Sequence, residues 1–313
     1  MDGCKPPWLR LSRLDRVKIV TGARSAIERG NILAKYSVRL LSVWKISVDQ
    51  CQNRADKDLY VPSEVMNMPN NLQAAFASNQ VLKVISGLNN FDCDRVAAVV
   101  RAADRGGATF LDIAADANLV RMARQLTTLP ICVSAVEPQL FIAAVEAGAD
   151  LIEIGNFDSF YAQGIRFEAD EVLALTQATR ALLPNITLSV TVPHILTLDK
   201  QVELAQALVA AGADIIQTEG GTSSTPTHPG TLGLIEKAAP TLAAAYEISR
   251  AVNVPVLCAS GLSSVTAPLA ISAGAAGIGV GSAINKLNDE LAMIAVVRSL
   301  VEALAASRTI VRI

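Results

Sequence analysis

The chain has 313 residues, of which 51% are hydrophobic and 18% charged, with a mean hydropathy of +0.37. A chain of this length and composition buries a large apolar interior, which excludes a disordered or fibrous protein. The net charge of −2 gives no reason to expect nucleic acid as a partner. No uninterrupted apolar run reaches the roughly 18 residues of a membrane helix, so we expect no membrane partner either.

The first 65 residues differ from the rest of the chain. They hold 12 Lys/Arg and 7 Asp/Glu, a balance of +5, whereas residues 66–313 carry −7. They contain both tryptophans and too many acids for a transit peptide, and they lack the repeat described below. We expect residues 1–65 to be a basic extension that is disordered or not part of the native protein. Residues 66–313 are predicted to form the folded domain.

From residue 82 onward, short apolar runs typical of buried β-strands alternate with helical segments. The eight predicted strands are residues 82–86, 109–113, 131–136, 151–154, 187–192, 215–218, 256–259 and 277–280. Helical segments such as residues 96–104 and 201–211 separate them. Eight strand–helix units in about 220 residues are the size at which a parallel sheet closes into a (β/α)8 TIM barrel.

An internal repeat supports this α/β barrel. Each even-numbered strand follows a glycine turn: Gly-Gly-Ala-Thr at 106–109, Ala-Gly-Ala-Asp at 147–150 and again at 211–214, and Ala-Gly-Ala-Ala at 273–276. Glycine at this place suits the left-handed residue that ends a helix. Four copies of one strand–helix–strand–helix unit disfavour an open, doubly wound sheet. The sequence therefore predicts a single TIM barrel preceded by a non-conforming N-terminal extension.

In such barrels the active site lies at the C-terminal ends of the strands. Strands seven and eight end in Ala-Ser-Gly-Leu at 259–262 and Gly-Val-Gly-Ser at 279–282. Gly261 and Gly281 allow backbone amides to approach a phosphate closely. These two turns therefore predict a phosphate-bearing ligand; the alternative is that they are ordinary tight turns.

The candidate acids and bases are few. Asp112, Glu153 and Glu219 lie on strands two, four and six, and strand parity allows the last two to point inward, where burial would raise their pKa and suit proton transfer. Lys83 on strand one is their expected partner. His194, which follows strand five, is either a substrate contact or an ordinary loop histidine. We assign catalysis to Lys83, Glu153 and Glu219, and a substrate contact to Asp112. The alternative is a buried network that only holds the barrel together.

Strand six ends near Gly221 and is followed by the polar segment 222–242, which contains His228. We predict a long loop here that covers the site; the alternative is a mobile excursion at the surface. The other expected substrate contacts at strand ends are Gln217, Gly220, Gly221 and Ser260. With two histidines far apart and no His/Cys cluster, no dedicated metal site is predicted. Mg²⁺ held by Asp or Glu together with a substrate phosphate stays open.

Five stretches carry a family resemblance. They are residues 83–92, 130–138, 153–161, 188–194 and 279–285. These resemble the ycf23 family, a hypothetical chloroplast reading frame of cyanobacteria and algal plastids, over roughly residues 70–305. The resemblance implies an aldolase-type barrel in cyanobacterial cytoplasm or plastid stroma. It implies no reaction.

A more distant similarity concerns the second half of the barrel. Residues 217–221, 255–261 and 277–282 look like nitronate monooxygenases and related FMN barrels. That resemblance implies Gly261, Gly281 and Ser282 as ligands of the FMN phosphate. However, Thr222 stands where those enzymes usually place a catalytic histidine. Similar glycines occur in thiamine-phosphate-synthase-like and prenyl-glyceryl-phosphate-synthase-like barrels, so the ligand stays open.

Three functions therefore remain at the level of the sequence. The first is an enzyme acting on a phosphorylated small molecule, with Lys83, Glu153 and Glu219 transferring protons or holding Mg²⁺. The second is an FMN-dependent oxidoreductase. The third is a non-catalytic barrel that binds a ligand or a regulatory partner. A homo-oligomer is compatible with all three.

Overall fold

The described part of the chain forms a closed barrel of eight parallel strands. The computed structural model describes residues 68–221 and 224–310, so the predictions for residues 1–65 and for Thr222 lie outside the described residues. Neighbouring strands pair in chain order, and the first pairs with the eighth. The strands are β1 (Val81–Gly87), β2 (Phe110–Ala114), β3 (Ile131–Ala135), β4 (Leu151–Ile154), β5 (Thr187–Thr191), β6 (Ile215–Gln217), β7 (Val256–Ala259) and β8 (Gly277–Val280).

Helices follow the strands and surround the barrel. They are α1 (Asn70–Ala77), α2 (Cys93–Gly106), α3 (Ala117–Leu126), α4 (Leu140–Glu146), α5 (Asp158–Tyr161), α6 (Ala169–Leu182), α7 (Leu198–Ala210), α8 (Gly230–Ala251), α9 (Ala267–Ser272), α10 (Ser282–Asn285) and α11 (Glu290–Ile310). In the described ranges, none of these helices is long and apolar enough to cross a membrane. The predicted TIM barrel is confirmed, and each predicted strand agrees with the structure to within one residue at either end.

The glycine turns of the repeat have the predicted conformation. Gly107, Gly148, Gly212 and Gly274 have φ values of 86°, 109°, 98° and 101°. The aspartate of the repeat has a structural role as well. Arg180 Nη2 donates to Asp214 Oδ2 at 2.8 Å, and the same oxygen accepts from the backbone amide of Leu188 at 2.8 Å. Each copy of Ala-Gly-Ala-Asp thereby ties a helix to the beginning of a strand.

The prediction of a long loop over residues 222–242 was wrong from residue 230 onward, because those residues are helical. Helix α8 begins at Gly230 and continues through Pro240. The buried residues Ala238, Thr241, Ala245 and Ile248 recur at the spacing of one helix face. This face packs under the ends of β6 and β7, so packing stabilises a helix that its internal proline disfavours.

The two faces of the strands differ in chemistry. Outward residues such as Leu82 and Val84 join the apolar layer between the strands and the helices. The intervening Lys83 points into the barrel, where it meets Glu153 and Gln217. Both faces are buried, as predicted, but the interior of the barrel is largely polar at mid-height. This polar layer lies below the candidate site.

Candidate functional site

A hydrogen-bonded network fills the middle of the barrel. Lys83 Nζ lies 2.5 Å from Glu153 Oε2 and 3.0 Å from Gln217 Oε1. Glu153 also accepts from Ser189 Oγ at 2.7 Å and from Gln217 Nε2 at 2.9 Å. The predicted pairing of Lys83 with a carboxylate is thus confirmed. Burial alone would lower the pKa of Lys83, but the charges of the neighbouring carboxylates outweigh burial and raise it.

Asp112 borders this network. Its Oδ1 accepts from the Ser134 hydroxyl and lies 3.9 Å from Lys83 Nζ. Its Oδ2 is buried without a hydrogen-bond partner in the described parts of the chain. Burial raises the pKa of Asp112 to about 7, although Lys83 acts in the opposite direction. Asp112 does not line the cavity described next, so its predicted contact with substrate stays a prediction.

A cavity of about 620 Å³ opens where the strands end. Gln217 contributes to its floor, and Arg95, Ser282 and Lys286 line it beside β1 and β8. Lys83 and Glu153 are completely buried and are not among its lining residues. Their predicted catalytic roles therefore require them to act through residues such as Gln217.

The predicted phosphate residues reach this cavity. Gly261, Gly281 and Ser282 all line it, together with Ser260. The hydroxyl of Ser282 forms no hydrogen bond with any described residue. Gly261 is also required by the fold, because its φ is 76° and its backbone touches Gly221.

Gly220 and Gly221 were predicted to contact substrate, but neither lines the cavity. A Cβ atom on Gly221 would lie 2.4 Å from the carbonyl oxygen of Ser260. A Cβ atom on Gly220 would lie 3.1 Å from Pro240 and 3.2 Å from His194. Both glycines allow the end of β6 to pack closely against its neighbours, and this packing accounts for them without a ligand.

Glu219 is the centre of a second polar cluster at the cavity wall. Its Oε1 accepts from the Tyr161 hydroxyl at 2.6 Å, and from both the backbone amide and Nδ1 of His194 at 3.1 Å. Its Oε2 accepts from the backbone amide of Asp158 at 3.2 Å. Burial raises the pKa of Glu219. The segments after β4, β5 and β6 therefore meet at this carboxylate.

Asp158 completes this cluster. Its Oδ2 accepts from Ser260 Oγ at 2.8 Å, and its Oδ1 lies 3.3 Å from His194 Nδ1. Ser260 and Asn156 are non-glycine residues with φ values of 76° and 62°. Such strained conformations persist where the surrounding contacts enforce them, and they concentrate at functional sites.

Sequence reasoning missed several residues of this site, among them Asp158, Tyr161, Arg95 and Lys286. The first two lie in the stretch 153–161, whose family resemblance was noted without assigning roles to its members. Arg95 lies in the first turn of α2, which follows β1, and Lys286 directly follows the short helix α10 after β8. Their position beside the cavity depends on barrel closure, which brings the ends of β1 and β8 together.

His228 does not supply the histidine that the FMN resemblance requires. Its Nδ1 pairs with Glu236 Oε1 at 2.5 Å on an exposed part of the chain, and it does not line the cavity. His194 does lie near the end of β6, but it follows β5. The FMN alternative is therefore left without its expected histidine among the described residues.

Comparison with known proteins identifies relatives across the barrel. The family model described as "Protein of unknown function (DUF561)" matches residues 68–310. The uncharacterized protein ycf23 of Cyanophora paradoxa is 45% identical over 228 residues, covering 72% of this chain and 93% of the relative. The ycf23 protein of Pyropia yezoensis is 41% identical over 229 residues, covering 73% and 84%.

A solved structure shows the same fold at much lower identity. GGGPS from Thermoplasma volcanium is 13% identical, covers 75% of this chain and 97% of its own, and has a TM-score of 0.53. That likeness supports the aldolase-type barrel and carries no residue roles. The family model, by contrast, extends over the whole described barrel, and the two relatives match 229 and 228 residues of the chain. The chain therefore belongs to the ycf23 family, whose model describes a protein of unknown function.

Proposed function

We propose that this protein binds a phosphate-bearing small molecule in the cavity at the barrel mouth and acts on it as an enzyme. The supporting observation is that positively and negatively charged side chains line different parts of the cavity. Arg95 follows β1 and Lys286 follows β8, whereas Asp158 follows β4 and Glu219 follows β6. Strand order places the first pair at the junction of β8 and β1 and the second pair between β4 and β6, so the cavity suits a molecule with an anionic end and a reactive polar end.

The phosphate end belongs beside β7 and β8. Ser282 offers a hydroxyl without a partner in the described structure, and Lys286 forms no ion pair there. A charge-assisted hydrogen bond to phosphate is about twice as strong as a neutral one. Gly261 and Gly281 leave room for the ligand to approach the backbone.

The reactive end belongs beside Glu219. This carboxylate lies in the cavity wall and is held by Tyr161 and His194, so it has one fixed orientation. Lys83 and Glu153 act indirectly in this proposal, because both bond to Gln217 in the cavity floor. Proton transfer, or the holding of a cation, is thereby assigned to Glu219 and its neighbours.

Calorimetric titration of the full chain with inorganic phosphate and glycerol phosphate tests the proposal. We expect binding, and we expect Ser282→Ala and Lys286→Ala each to weaken it about tenfold, because a hydrogen bond to a charged group contributes about 1.5–3 kcal/mol. Lys200→Ala is the matched control, since Lys200 pairs with Glu203 and does not line the cavity. Failure of both compounds to bind, or equal affinities in all variants, would contradict the proposal.

A visible absorption spectrum distinguishes FMN from other phosphate-bearing ligands. If a flavin band appears after incubation with FMN and is lost in Ser282→Ala, the ligand is FMN and not a simple phosphorylated metabolite.

We further propose, from the family membership, that the protein works in plastid stroma or cyanobacterial cytoplasm. The non-catalytic alternative predicts that Glu219→Gln leaves the cellular role intact.

A further inference from the structure

We propose that Asp158, His194 and Glu219 bind a divalent transition-metal ion at the cavity wall. One ligand atom from each residue lies within 4.8 Å of the other two. His194 Nδ1 lies 3.1 Å from Glu219 Oε1 and 3.3 Å from Asp158 Oδ1. Two ligands placed about 2.0 Å from a tetrahedral ion are roughly 3.3 Å apart. The three atoms therefore already have the separations that an ion requires.

The hydrogen bonds of this cluster leave one carboxylate oxygen, Asp158 Oδ1, without a donor in the described structure. Asp158 Oδ1 and Glu219 Oε1 are acceptors, and Nδ1 can supply one proton to the space between them. That proton serves Glu219, and Asp158 Oδ1 stays buried without a hydrogen bond in the described structure. A buried polar atom without a partner costs about 1–3 kcal/mol. A cation among the three atoms satisfies Oδ1, Nδ1 and Oε1 together.

The charge balance points to the same conclusion. The side chain of Glu219 is 4% exposed and that of Asp158 is 12% exposed. Over residues 68–221 and 224–310, no lysine or arginine forms an ion pair with either carboxylate, and His194 is their common partner. Among the residues that the structure describes, these two carboxylates thus share one ion-pair partner, which carries at most one positive charge. A divalent ion bound by two carboxylates and a neutral imidazole makes the cluster neutral.

The donor set indicates which ions fit. One imidazole nitrogen and two carboxylate oxygens suit Zn²⁺ or Mn²⁺ better than Mg²⁺, which prefers oxygen ligands alone. The Tyr161 hydroxyl and the His194 backbone amide both donate to Glu219 Oε1 and so fix the orientation of this carboxylate, as outer partners commonly do for metal ligands. Three protein ligands leave a coordination position open toward the cavity, which Asp158 and Glu219 both line.

Mn²⁺ titration of the chelator-treated full chain, followed by electron paramagnetic resonance, tests this site without any phosphate ligand. We expect one Mn²⁺ per chain, displaced by Zn²⁺, and weaker binding of Mg²⁺. Asp158→Asn and His194→Phe should each lower the affinity at least tenfold. His228→Phe is the matched control, because His228 forms the same Nδ1–glutamate pair with Glu236 away from the cavity. It should bind Mn²⁺ as the unaltered chain does.

Circular dichroism of each variant checks that the barrel is folded, and Asp158→Asn keeps the shape of the side chain it replaces. Absence of stoichiometric Mn²⁺ and Zn²⁺ binding by the unaltered chain would overturn the assignment. So would binding that survives in both folded cavity variants, or that is lost equally in His228→Phe. Because the probe is the metal alone, these outcomes are independent of whether phosphate binds.

Discussion

One ammonium group and two carboxyl groups share the interior of the barrel. Lys83 forms its shorter contact with Glu153, at 2.5 Å, and lies 3.9 Å from Asp112. All three side chains are fully buried. Buried charges are stable when they are paired, so the neutral arrangement has Lys83 and Glu153 charged and Asp112 protonated. The unpartnered Oδ2 of Asp112 is the atom that would carry this proton.

Asp112 should therefore make the stability of the protein depend on pH. Its folded pKa is raised from 3.8 to about 7, so between these values the folded state binds more protons than the unfolded state. The contribution of this carboxyl is then fully present below about pH 4 and is lost as the pH rises toward 7, by up to about 1.4 kcal/mol per pH unit. Asp112→Asn cannot lose a proton, and we expect its stability relative to the unaltered chain to rise between pH 5 and pH 7.

Urea unfolding at pH 5, 6 and 7 measures this difference. Asp170→Asn removes an exposed carboxylate from the beginning of α6 and serves as the control. Its unfolding free energy should follow that of the unaltered chain across the same range. A constant difference between Asp112→Asn and the unaltered chain would show that Asp112 is ionised in the folded protein throughout.

At the scale of the elements, local patterns predict strands better than they predict α8. The strands are short apolar runs bounded by glycine or proline, so their ends are marked in the sequence. The region of α8 contains Pro240 and begins with polar residues, which locally favour a loop. In the sequence, this helix is indicated only by the helical spacing of positions 238, 241, 245 and 248, which are buried in the structure. Tertiary packing overrides propensity there.

The candidate site, like the fold, could be predicted from the sequence only in part. Strand-end glycines and inward acids can be recognised because barrels place function at the C-terminal ends of their strands. The partners of those acids cannot be recognised in the same way. Ser260 bonds to Asp158 across 102 positions of the chain, and this contact depends on barrel closure. Nothing in the local sequence around either residue indicates the other.

The packing of α8 can be tested at Thr241. Its hydroxyl lies 2.5 Å from both Thr218 Oγ1 and the carbonyl oxygen of Ala259, so it ties the helix to the ends of β6 and β7. Thr241→Val keeps the shape and leaves buried polar atoms without partners. We expect a loss of about 1–3 kcal/mol in the free energy of unfolding, measured by urea denaturation.

Thr179 provides a matched comparison on α6. It is also fully buried in a helix, but its hydroxyl has no hydrogen-bond partner in the described structure. Thr179→Val should therefore be neutral or stabilising. If the two variants unfold at the same urea concentration, the hydroxyl of Thr241 does not hold α8 against the barrel.

At the scale of the whole barrel, the last helix closes the ring of helices against α2, the helix that follows β1. Helix α11 packs against α2, and Glu290 at its start pairs with Arg101 and Arg105. The same junction brings β8 beside β1 and so sets the distance between Arg95 and the β8 loop. Arg95 Nη2 donates to the carbonyl oxygen of Asn285 at 2.6 Å. Closure of the helix layer and the shape of the cavity are thus coupled.

Gly106 on α2 lies in close contact with Val297 on α11. A Cβ atom there would lie 2.4 Å from Val297 Cγ1, so Gly106→Ala should force α11 away from α2 and cost about 1–3 kcal/mol of stability. Val297→Ala alone should also destabilise, because it leaves a cavity. In the double variant the new methyl group occupies that space, and we expect it to be more stable than the sum of the single effects predicts. Urea denaturation of the four proteins gives this coupling energy, and strictly additive effects would mean that α11 shifts freely and does not fix the closure.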